Sequence, residues 1–540
     1  MRRSFVWLLA TFIGASATPA PAERIENAAV RSVRAHAALL ADDLYEGRAT
    51  GTRGYQLAAA YVASQFSRLG LVPAGDDGSY LQRIRFLEST SDLEGARFAI
   101  HYGETIVELA PIAEAIVRTS VGATEAEVRA PAVFAGFGIH APELGYDDFA
   151  LVDLRGKIAV VLAGSPSQFP ATARAHHSRI KPQEIERRGA VGLVVLGTPR
   201  EEARSPWAFA VNSSRFPRMR LVGADGSLIE DYPALRVTAG VSRSAAEKVF
   251  SRAARPWTEA LATSERGEAQ GFDLGIELAL AARSTTTPVQ CTNVLALLPG
   301  SDPTLAHEPV VLTGHLDHIG IGPEVAGDTL YNGAYDNAVG IGILLTVAER
   351  LAHGPPSRRP VLIAAVTAEE KGLLGSYHLA RHPPAGVERF AANLNVDMSL
   401  FFGPVRDVIA RGSEHSTLGA TAAAVTRAEE FTISPDPIPE EVVFVRSDQY
   451  SFVRTGVPAI FLSAGVRGPN SATEYMEAQT EFRRMRYHKP SDDLTQPIDW
   501  QSTADFARLL GSFATAVANE PEAPSWLSGD FFGRTFGQPH

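Results

Sequence analysis

The alternation of apolar strands with amphipathic helices after Cys291 restricts the fold of this chain more than any other feature. Consecutive strands that are separated by a helix pair in parallel, and the helices then cover both faces of one sheet. The sequence therefore predicts an α/β domain with a largely parallel sheet over residues 276–520. The predicted strands are residues 293–298, 310–313, 361–367, 393–397 and 459–462, and the predicted helices are residues 338–352, 372–380, 416–428 and 501–518.

The rest of the 540-residue chain divides into segments of different character. Residues 23–90 show helical periodicity at 31–44 and 54–69, with a glycine-rich loop between them at 46–54. Residues 91–275 are predicted to be a β-rich segment, and residues 521–540 a C-terminal tail that extends over the surface. The β-rich segment has predicted strands at 132–137, 157–162, 191–196 and 235–238 and one predicted helix at 182–188.

The N-terminus has the three parts of a secretory signal peptide within residues 1–22. Arg2 and Arg3 are basic, residues 5–13 are apolar, and Ala20-Pro21-Ala22 is a small-residue cleavage site. The apolar run is too short to span a bilayer, and no cysteine follows the cleavage site to carry a lipid. We therefore expect an exported protein, periplasmic or secreted, with no membrane anchor in its mature form.

Charge and cysteine content exclude some classes of partner and site. The net charge of -11 argues against a nucleic-acid partner. The single cysteine, Cys291, rules out an internal disulfide and is expected to be a buried thiol rather than a nucleophile. His176 and His177 are adjacent in a stretch that is predicted to be a solvated loop, and adjacent residues of an extended chain point to opposite faces, which argues against a metal pair.

Acidic and imidazole side chains lie at the ends of the predicted strands and in the adjoining turns. In a largely parallel sheet these strand ends meet at one edge, where ligands bind. Oxygen and imidazole donors in this number suit two zinc ions that share one carboxylate, and they leave one further carboxylate to act as a base. The set consists of His315, Asp317, Asp336, Glu369, Glu370, Asp397 and His488.

Several of these acids have a structural alternative when each is taken alone. Asp336 precedes a predicted helix and would also serve as its N-cap. Glu369 and Glu370 would also favour the dipole of the helix that follows them. In the metal-binding interpretation, one of these two glutamates coordinates and the other is the general base.

The segment from His315 to His318 combines two histidines with an acid. His315 and Asp317 face the same side of an extended chain, so Asp317 is placed to accept the second imidazole N–H or to orient the base. His318 faces the other way in an extended chain. It is therefore predicted to support the site from outside or to be exposed.

The ordered set resembles the co-catalytic di-zinc exopeptidases of metallopeptidase family twenty-eight. The resemblance is most specific in residues 311–340, 361–376, 393–398 and 487–493, and it implies a zinc-exopeptidase (phosphorylase/hydrolase-like) fold with three αβα layers and a mixed, largely parallel sheet. Residues 136–161 resemble the protease-associated domain that many exopeptidases carry as an insertion. The resemblance therefore implies that residues 91–275 are such an inserted domain.

The resemblance also implies a role for each residue of the set. His315, Asp336 and Asp397 would hold one zinc, and Asp336, Glu370 and His488 would hold the other, with Asp336 as the bridge. Glu369 would be the general base, and Asp317 would support the site. Tyr487 matches the position of an oxyanion-stabilising tyrosine in some aminopeptidases of the family, although a packing role remains open.

These observations predict an exported aminopeptidase that uses two Zn²⁺ ions per chain and acts on peptides with a free N-terminus. Hydrolysis would use a zinc-bound water, with Glu369 as its base. Three alternatives use the same fold. They are a glutaminyl cyclase with one zinc, a carboxypeptidase that would need a basic pocket, and a peptidase-like binding protein without activity.

Overall fold

The apolar runs of the α/β region form neighbouring strands of one sheet in the computed structural model, which describes residues 27–467 and 472–537. From one side to the other the strands are Thr432–Ile433, Asp407–Arg411, Ala459–Ala464, Ala392–Asn395, Val310–His315, Val361–Val366 and Phe272–Leu298. The four strands from Ala459–Ala464 to Val361–Val366 are parallel, and the strand on either side of them runs antiparallel. The prediction of a mixed, largely parallel sheet is therefore confirmed.

The central strands alternate their side chains between two apolar cores, because successive residues of a strand point to opposite faces. Val310 and Leu312 lie in the core on one face, whereas Val311 lies in the core on the other. The first face is covered by helices Ala28–Leu40, Arg53–Arg68, Val339–His353, Leu418–Ala428 and Trp500–Asn519. The second face is covered by helices Leu374–Arg381 and Gln449–Val453. Helix Ala472–Met485 adds Tyr475 and Phe482 to the first core.

Two long strands carry the chain out of this sheet and back into it. Leu81–Tyr102 and Phe272–Leu298 pair antiparallel along most of their length. The segment between them has its own apolar core, which includes Phe134, Val160 and Val194. Its strands are Thr105–Leu109, Ala115–Thr119, Glu125–Phe134, His140–Ala141, Tyr146–Asp147, Ile158–Leu162, Gly192–Leu196, Arg218–Leu221 and Val237–Val241. Its α-helices are Ala171–Arg187, Pro199–Arg204, Trp207–Ser214, Arg243–Val249 and Trp257–Glu265. Each strand predicted within residues 91–275 overlaps one of these strands.

The prediction that His176 and His177 lie in a solvated loop is wrong. Both belong to helix Ala171–Arg187, which begins well before the predicted start at residue 182 and contains Pro182 in its interior. Residues 171–181 are mostly polar and show no clear apolar periodicity, and proline is common in the first turn of a helix. The sequence therefore predicted a helix that begins only at Pro182. His177 is buried and lies 2.8 Å from the carboxylate of Glu143, which gives it a structural partner.

The prediction that residues after 520 form a surface extension is also wrong for the part that the structure describes. Helix Phe531–Phe536 packs Phe532, which is completely buried, against Phe444 and Tyr450. Aromatic side chains bury a large apolar area, and this gain holds a short terminal helix in place. The ring of His176 contacts the same helix, so the C-terminus bridges the two parts of the fold.

The predicted signal peptide, residues 1–22, lies outside the described residues. Within residues 27–467 and 472–537, the helices are all too short or too polar to cross a bilayer. Cys291 is buried, as predicted, and burial raises the pKa of its thiol to about 11. A thiol with a raised pKa is a poor nucleophile, so Cys291 is a structural residue.

Candidate metal centre

The predicted site residues converge at the carboxyl edge of the parallel strands. His315 is the last residue of its strand, Asp397 lies two residues beyond strand Ala392–Asn395, and Glu369 and Glu370 follow strand Val361–Val366 within four residues. Asp336 lies in a turn before helix Val339–His353. The topology of the sheet alone brings these strand ends together, as open α/β sheets do for their ligand sites.

The first group of donors is formed by His315, Asp336 and Asp397, which are all buried. His315 Nε2 lies 3.2 Å from Asp336 Oδ1 and 3.2 Å from Asp397 Oδ1. His315 Nδ1 donates to the main-chain carbonyl of Asp317 (3.0 Å), which fixes the ring with Nε2 toward the carboxylates. Ser447 donates to the other oxygen of Asp397 (2.6 Å) and holds that carboxylate in place.

The second group surrounds the other oxygen of Asp336. His488 Nε2 lies 3.3 Å from Asp336 Oδ2 and 3.0 Å from Glu370 Oε2. This nitrogen is buried and has no hydrogen-bond partner among the described residues. A cation between the three side chains would satisfy the nitrogen and both carboxylates at once.

The pKa shifts in both groups show how strongly the site favours positive charge. Burial by itself lowers the pKa of each histidine, but the neighbouring acids outweigh it. Asp397 and Asp336 raise the pKa of His315 well above its usual value, and Glu370 and Asp336 raise the pKa of His488 to about 10. Without a metal, bound protons supply the charge that the carboxylates require. The donor set therefore fits two divalent cations that share Asp336, and its oxygen and imidazole composition suits zinc.

The turn that carries Asp336 is fixed by backbone contacts rather than by helix capping. Gly333 has φ +61°, and a Cβ there would lie 2.2 Å from the carbonyl oxygen of Asp336. Asp492 accepts hydrogen bonds from the amides of Tyr335 (3.0 Å) and Asp336 (3.0 Å). The Asp336 carboxylate faces His315 and His488, and no side chain caps helix Val339–His353. The alternative of an N-cap role for Asp336 is therefore not what the structure shows.

Asp317 positions the two glutamates through their backbone. It is completely buried, accepts from the amides of Glu369 (3.2 Å) and Glu370 (3.4 Å), and accepts from the hydroxyl of Thr50 (3.1 Å). Burial raises the pKa of Glu369 well above its usual value, with a further increase from Asp397 and Glu370 and an opposing effect of His315. Members of both groups of donors therefore act electrostatically on Glu369, and its carboxyl group holds a proton readily in this environment.

Tyr487 lies next to the second group. Its ring stacks on His488 with 3.8 Å between ring centroids. Burial raises the pKa of its phenol well above the usual value, and the nearby acids Asp336, Glu370 and Glu369 raise it further. The hydroxyl therefore stays protonated and able to donate a hydrogen bond.

Of the two predictions for His318, the structure supports a position beside the site and excludes exposure to solvent. This residue is completely buried, and its Nδ1 donates to Glu370 Oε1 (2.8 Å) while lying 3.8 Å from Asp336 Oδ2. The alternation of an extended chain does not apply to it, because the strand ends at His315 and the chain turns. His318 therefore belongs to the second group of donors, as a partner of Glu370 or as a ligand.

Asp448 was not predicted to be a site residue, because a single acid after a serine does not form a recognisable motif. It is completely buried, and neither carboxylate oxygen has a hydrogen-bond partner among the described residues. Burial raises its pKa to about 7, and His315 opposes that increase. Asp448 adds a further acid to the surroundings of the first group.

Comparison with known proteins shows what this region resembles. Residues 293–514 match the sequence model of Peptidase family M28. The chain is 27% identical over 268 residues to a protein of Pyrenophora tritici-repentis described as a probable zinc metalloprotease, covering 44% of this chain and 59% of that protein. A protein of Pyrenophora teres f. teres with the same description is 27% identical over 252 residues, covering 44% of this chain and 51% of that protein. The chain thus spans little more than half the length of these relatives.

A solved structure of similar fold is the aminopeptidase from Aneurinibacillus sp. strain AM-1. It superposes with a TM-score of 0.51 at 18% sequence identity, and the alignment covers 92% of this chain and 95% of that chain. At this level of identity the likeness shows a common fold. Because the alignment covers nearly the whole chain, the likeness extends over the β-rich segment as well as the α/β sheet.

The two histidines of the second group are expected to differ in their effect on metal binding. His488→Gln should leave one tightly bound zinc per chain, because it removes the nitrogen that faces both carboxylates. His318→Gln should keep two zinc ions and weaken one by about 10- to 100-fold, as expected for a residue that orients a ligand. Zinc content after dialysis against chelator-buffered zinc measures both. If His318→Gln binds one zinc ion and His488→Gln binds two, His318 is the metal ligand and His488 is the residue that only orients a ligand.

Proposed function

We propose, from the match of residues 293–514 to the model of Peptidase family M28, that this protein is an exported di-zinc aminopeptidase. Its substrates would be peptides with a free N-terminus. The observation that carries the proposal is the position of Asp336, with one carboxylate oxygen facing His315 and the other facing His488. A carboxylate shared in this way supports a pair of metal ions rather than a single one.

Each metal would be held by three side chains of this chain. His315, Asp336 and Asp397 would hold one zinc, and Asp336, Glu370 and His488 would hold the other. When bound, the zinc pair supplies Lewis acidity, which activates water as a nucleophile and polarises a carbonyl group. The remaining chemistry is the movement of protons and the orientation of the substrate, which the protein's side chains provide.

Glu369 is the proposed general base. Its carboxylate would take a proton from the attacking water and return it to the nitrogen of the leaving amine. Asp317 supports this role because it fixes the backbone of Glu369 and Glu370, so the two carboxylates project from a rigid segment. Tyr487 is proposed to donate its hydroxyl to the oxygen of the tetrahedral intermediate, which its protonated phenol allows.

The β-rich segment of residues 91–275 is proposed to be a protease-associated domain that borders the entrance of the site. Lys371, next to Glu370, donates to the main-chain carbonyl of Pro217 in this segment (3.3 Å). The ring of Phe216 packs edge-on against Tyr331, near the turn that carries Asp336, with 6.1 Å between centroids. These two contacts, each near a loop that supplies proposed ligands, support this position. Export rests on the signal sequence in residues 1–22.

A panel of aminoacyl chromogenic substrates, with and without a blocked N-terminus, tests the proposed activity. We expect turnover of the unblocked substrates alone, together with about two zinc ions per chain. One zinc with cyclisation of N-terminal glutamine would show a glutaminyl cyclase. Release of C-terminal residues would show a carboxypeptidase. Absence of both metal and turnover would show a binding protein.

The adjacent glutamates provide a matched pair of variants for the proposed mechanism. Glu369→Gln should keep two zinc ions and lower kcat by about 10²- to 10⁴-fold, because only the proton acceptor is lost. Glu370→Gln should lower the zinc content toward one, because it removes a ligand. Metal analysis and initial rates on one substrate check both variants. Unchanged turnover in Glu369→Gln would exclude Glu369 as the general base. Loss of zinc from Glu369→Gln but not from Glu370→Gln would show that Glu369 is the ligand and Glu370 the base.

A further inference from the structure

Arg48 is a buried arginine that the proposed mechanism does not use, and it lies in the segment before helix Arg53–Arg68. It is only 1% exposed. Its guanidinium donates to the main-chain carbonyls of Leu316 (3.0 Å), Asn332 (2.7 Å) and Gly333 (3.0 Å), and also to the carbonyl of Leu40. A buried guanidinium with main-chain acceptors joins backbone segments, because its five N–H groups point in fixed directions.

The joined segments are those that carry the candidate metal ligands. Leu316 follows His315 directly, and Asn332 and Gly333 begin the turn that leads to Asp336. The carbonyl of Arg48 also accepts from the amide of His318 (3.2 Å). One side chain and its own backbone therefore fix the loop after His315 against the turn before Asp336.

The backbone conformation at residues 47 and 48 allows this segment to approach the site loops closely. Gly47 and Arg48 both have positive φ values, +65° and +53°. A Cβ at Gly47 would lie 2.2 Å from the carbonyl oxygen of Tyr331, so only glycine allows the backbone at this position to lie against Tyr331. Thr50 in the same segment donates to the carboxylate of Asp317 (3.1 Å). A non-glycine residue at positive φ is costly, and it persists where surrounding contacts determine it.

Arg48 also brings a positive charge close to the acids of the site. Burial lowers the pKa of its guanidinium to about 10, and Asp336, Asp492, Asp317 and Glu370 oppose that decrease. The side chain is therefore charged at neutral pH. A charge alone would repel a bound cation, so a favourable effect of Arg48 on metal binding has to come from the geometry that it imposes.

We propose that Arg48 is a positioning residue that holds the loop after His315 and the turn of Asp336 at the separation required for binding two metal ions. This inference rests on the proposed di-zinc function. With the two segments already joined, metal binding does not have to order them, and the affinity is correspondingly higher. An arginine that only filled the core would change stability without changing metal affinity.

Three variants test this proposal. Arg48→Met removes the guanidinium, and Arg48→Lys keeps the charge and one nitrogen but not the fork that reaches four carbonyls. Arg53→Met is the control, since Arg53 is the first residue of the following helix, Arg53–Arg68, and its side chain is 76% exposed. The readouts are zinc affinity by chelator competition, the visible spectrum of the cobalt-substituted protein, and kcat and KM.

Arg48→Met is expected to bind at least one of its two zinc ions about 10- to 100-fold more weakly, with a changed cobalt spectrum and a lower kcat at similar KM. Arg48→Lys should recover part of the affinity, and Arg53→Met should match the unsubstituted protein. Zinc affinities within twofold and an unchanged cobalt spectrum in a folded Arg48→Met would overturn the proposal. If the unsubstituted protein itself binds no zinc, the proposed function fails, whatever the variants do.

Hydrogen exchange on the unsubstituted protein provides a test that does not require a variant to fold. In the metal-free protein, the amide of His318 should already be protected, because it donates to the main-chain carbonyl of Arg48 before metal binds. Protection that appears only after zinc is added would overturn the proposal. This measurement can contradict the proposal even if both Arg48 variants aggregate.

Discussion

The carboxylate of Asp336 is the group on which the rest of the site depends, because its two oxygens face two different imidazoles. It is only 3% exposed and lies among Asp397, Glu370 and Glu369 at the edge of an apolar sheet. Several buried carboxylates close to one another destabilise the folded state unless cations neutralise their charge. The raised pKa values of His315 and His488 express the same requirement. Two metal ions would meet it and would release both histidines to act as neutral ligands.

The surrounding fold keeps this group of charges in place through backbone contacts. Asp492 binds two amides of the turn that carries Asp336, and Asp317 binds the amides of both glutamates. Arg48 joins the backbone on either side of the site. Each support acts on main chain rather than on a ligand's side chain, so the ligands remain free to coordinate. Helix Phe531–Phe536 packs against His176 and Phe444, and the β-rich segment contacts Lys371 beside Glu370.

Much of the fold and of the ligand set could be predicted because both follow from short-range patterns. Apolar runs separated by helices determine a largely parallel sheet, and the acids at the ends of those runs meet at one edge. The position of His318 could not be predicted from alternation, because the strand stops at His315 and the chain turns. Arg48 carried no signal, since its acceptors Leu316, Asn332 and Gly333 are 268 to 285 residues away in sequence. The packing of Phe532 likewise depends on distant residues.

Anomalous diffraction at the zinc edge, on crystals of the purified protein, tests the central claim most directly. The account predicts two peaks on either side of the Asp336 carboxylate. One should lie within coordination distance of His315 and Asp397, and the other within that distance of His488 and Glu370. A single peak, or two peaks that do not share Asp336, would contradict the account.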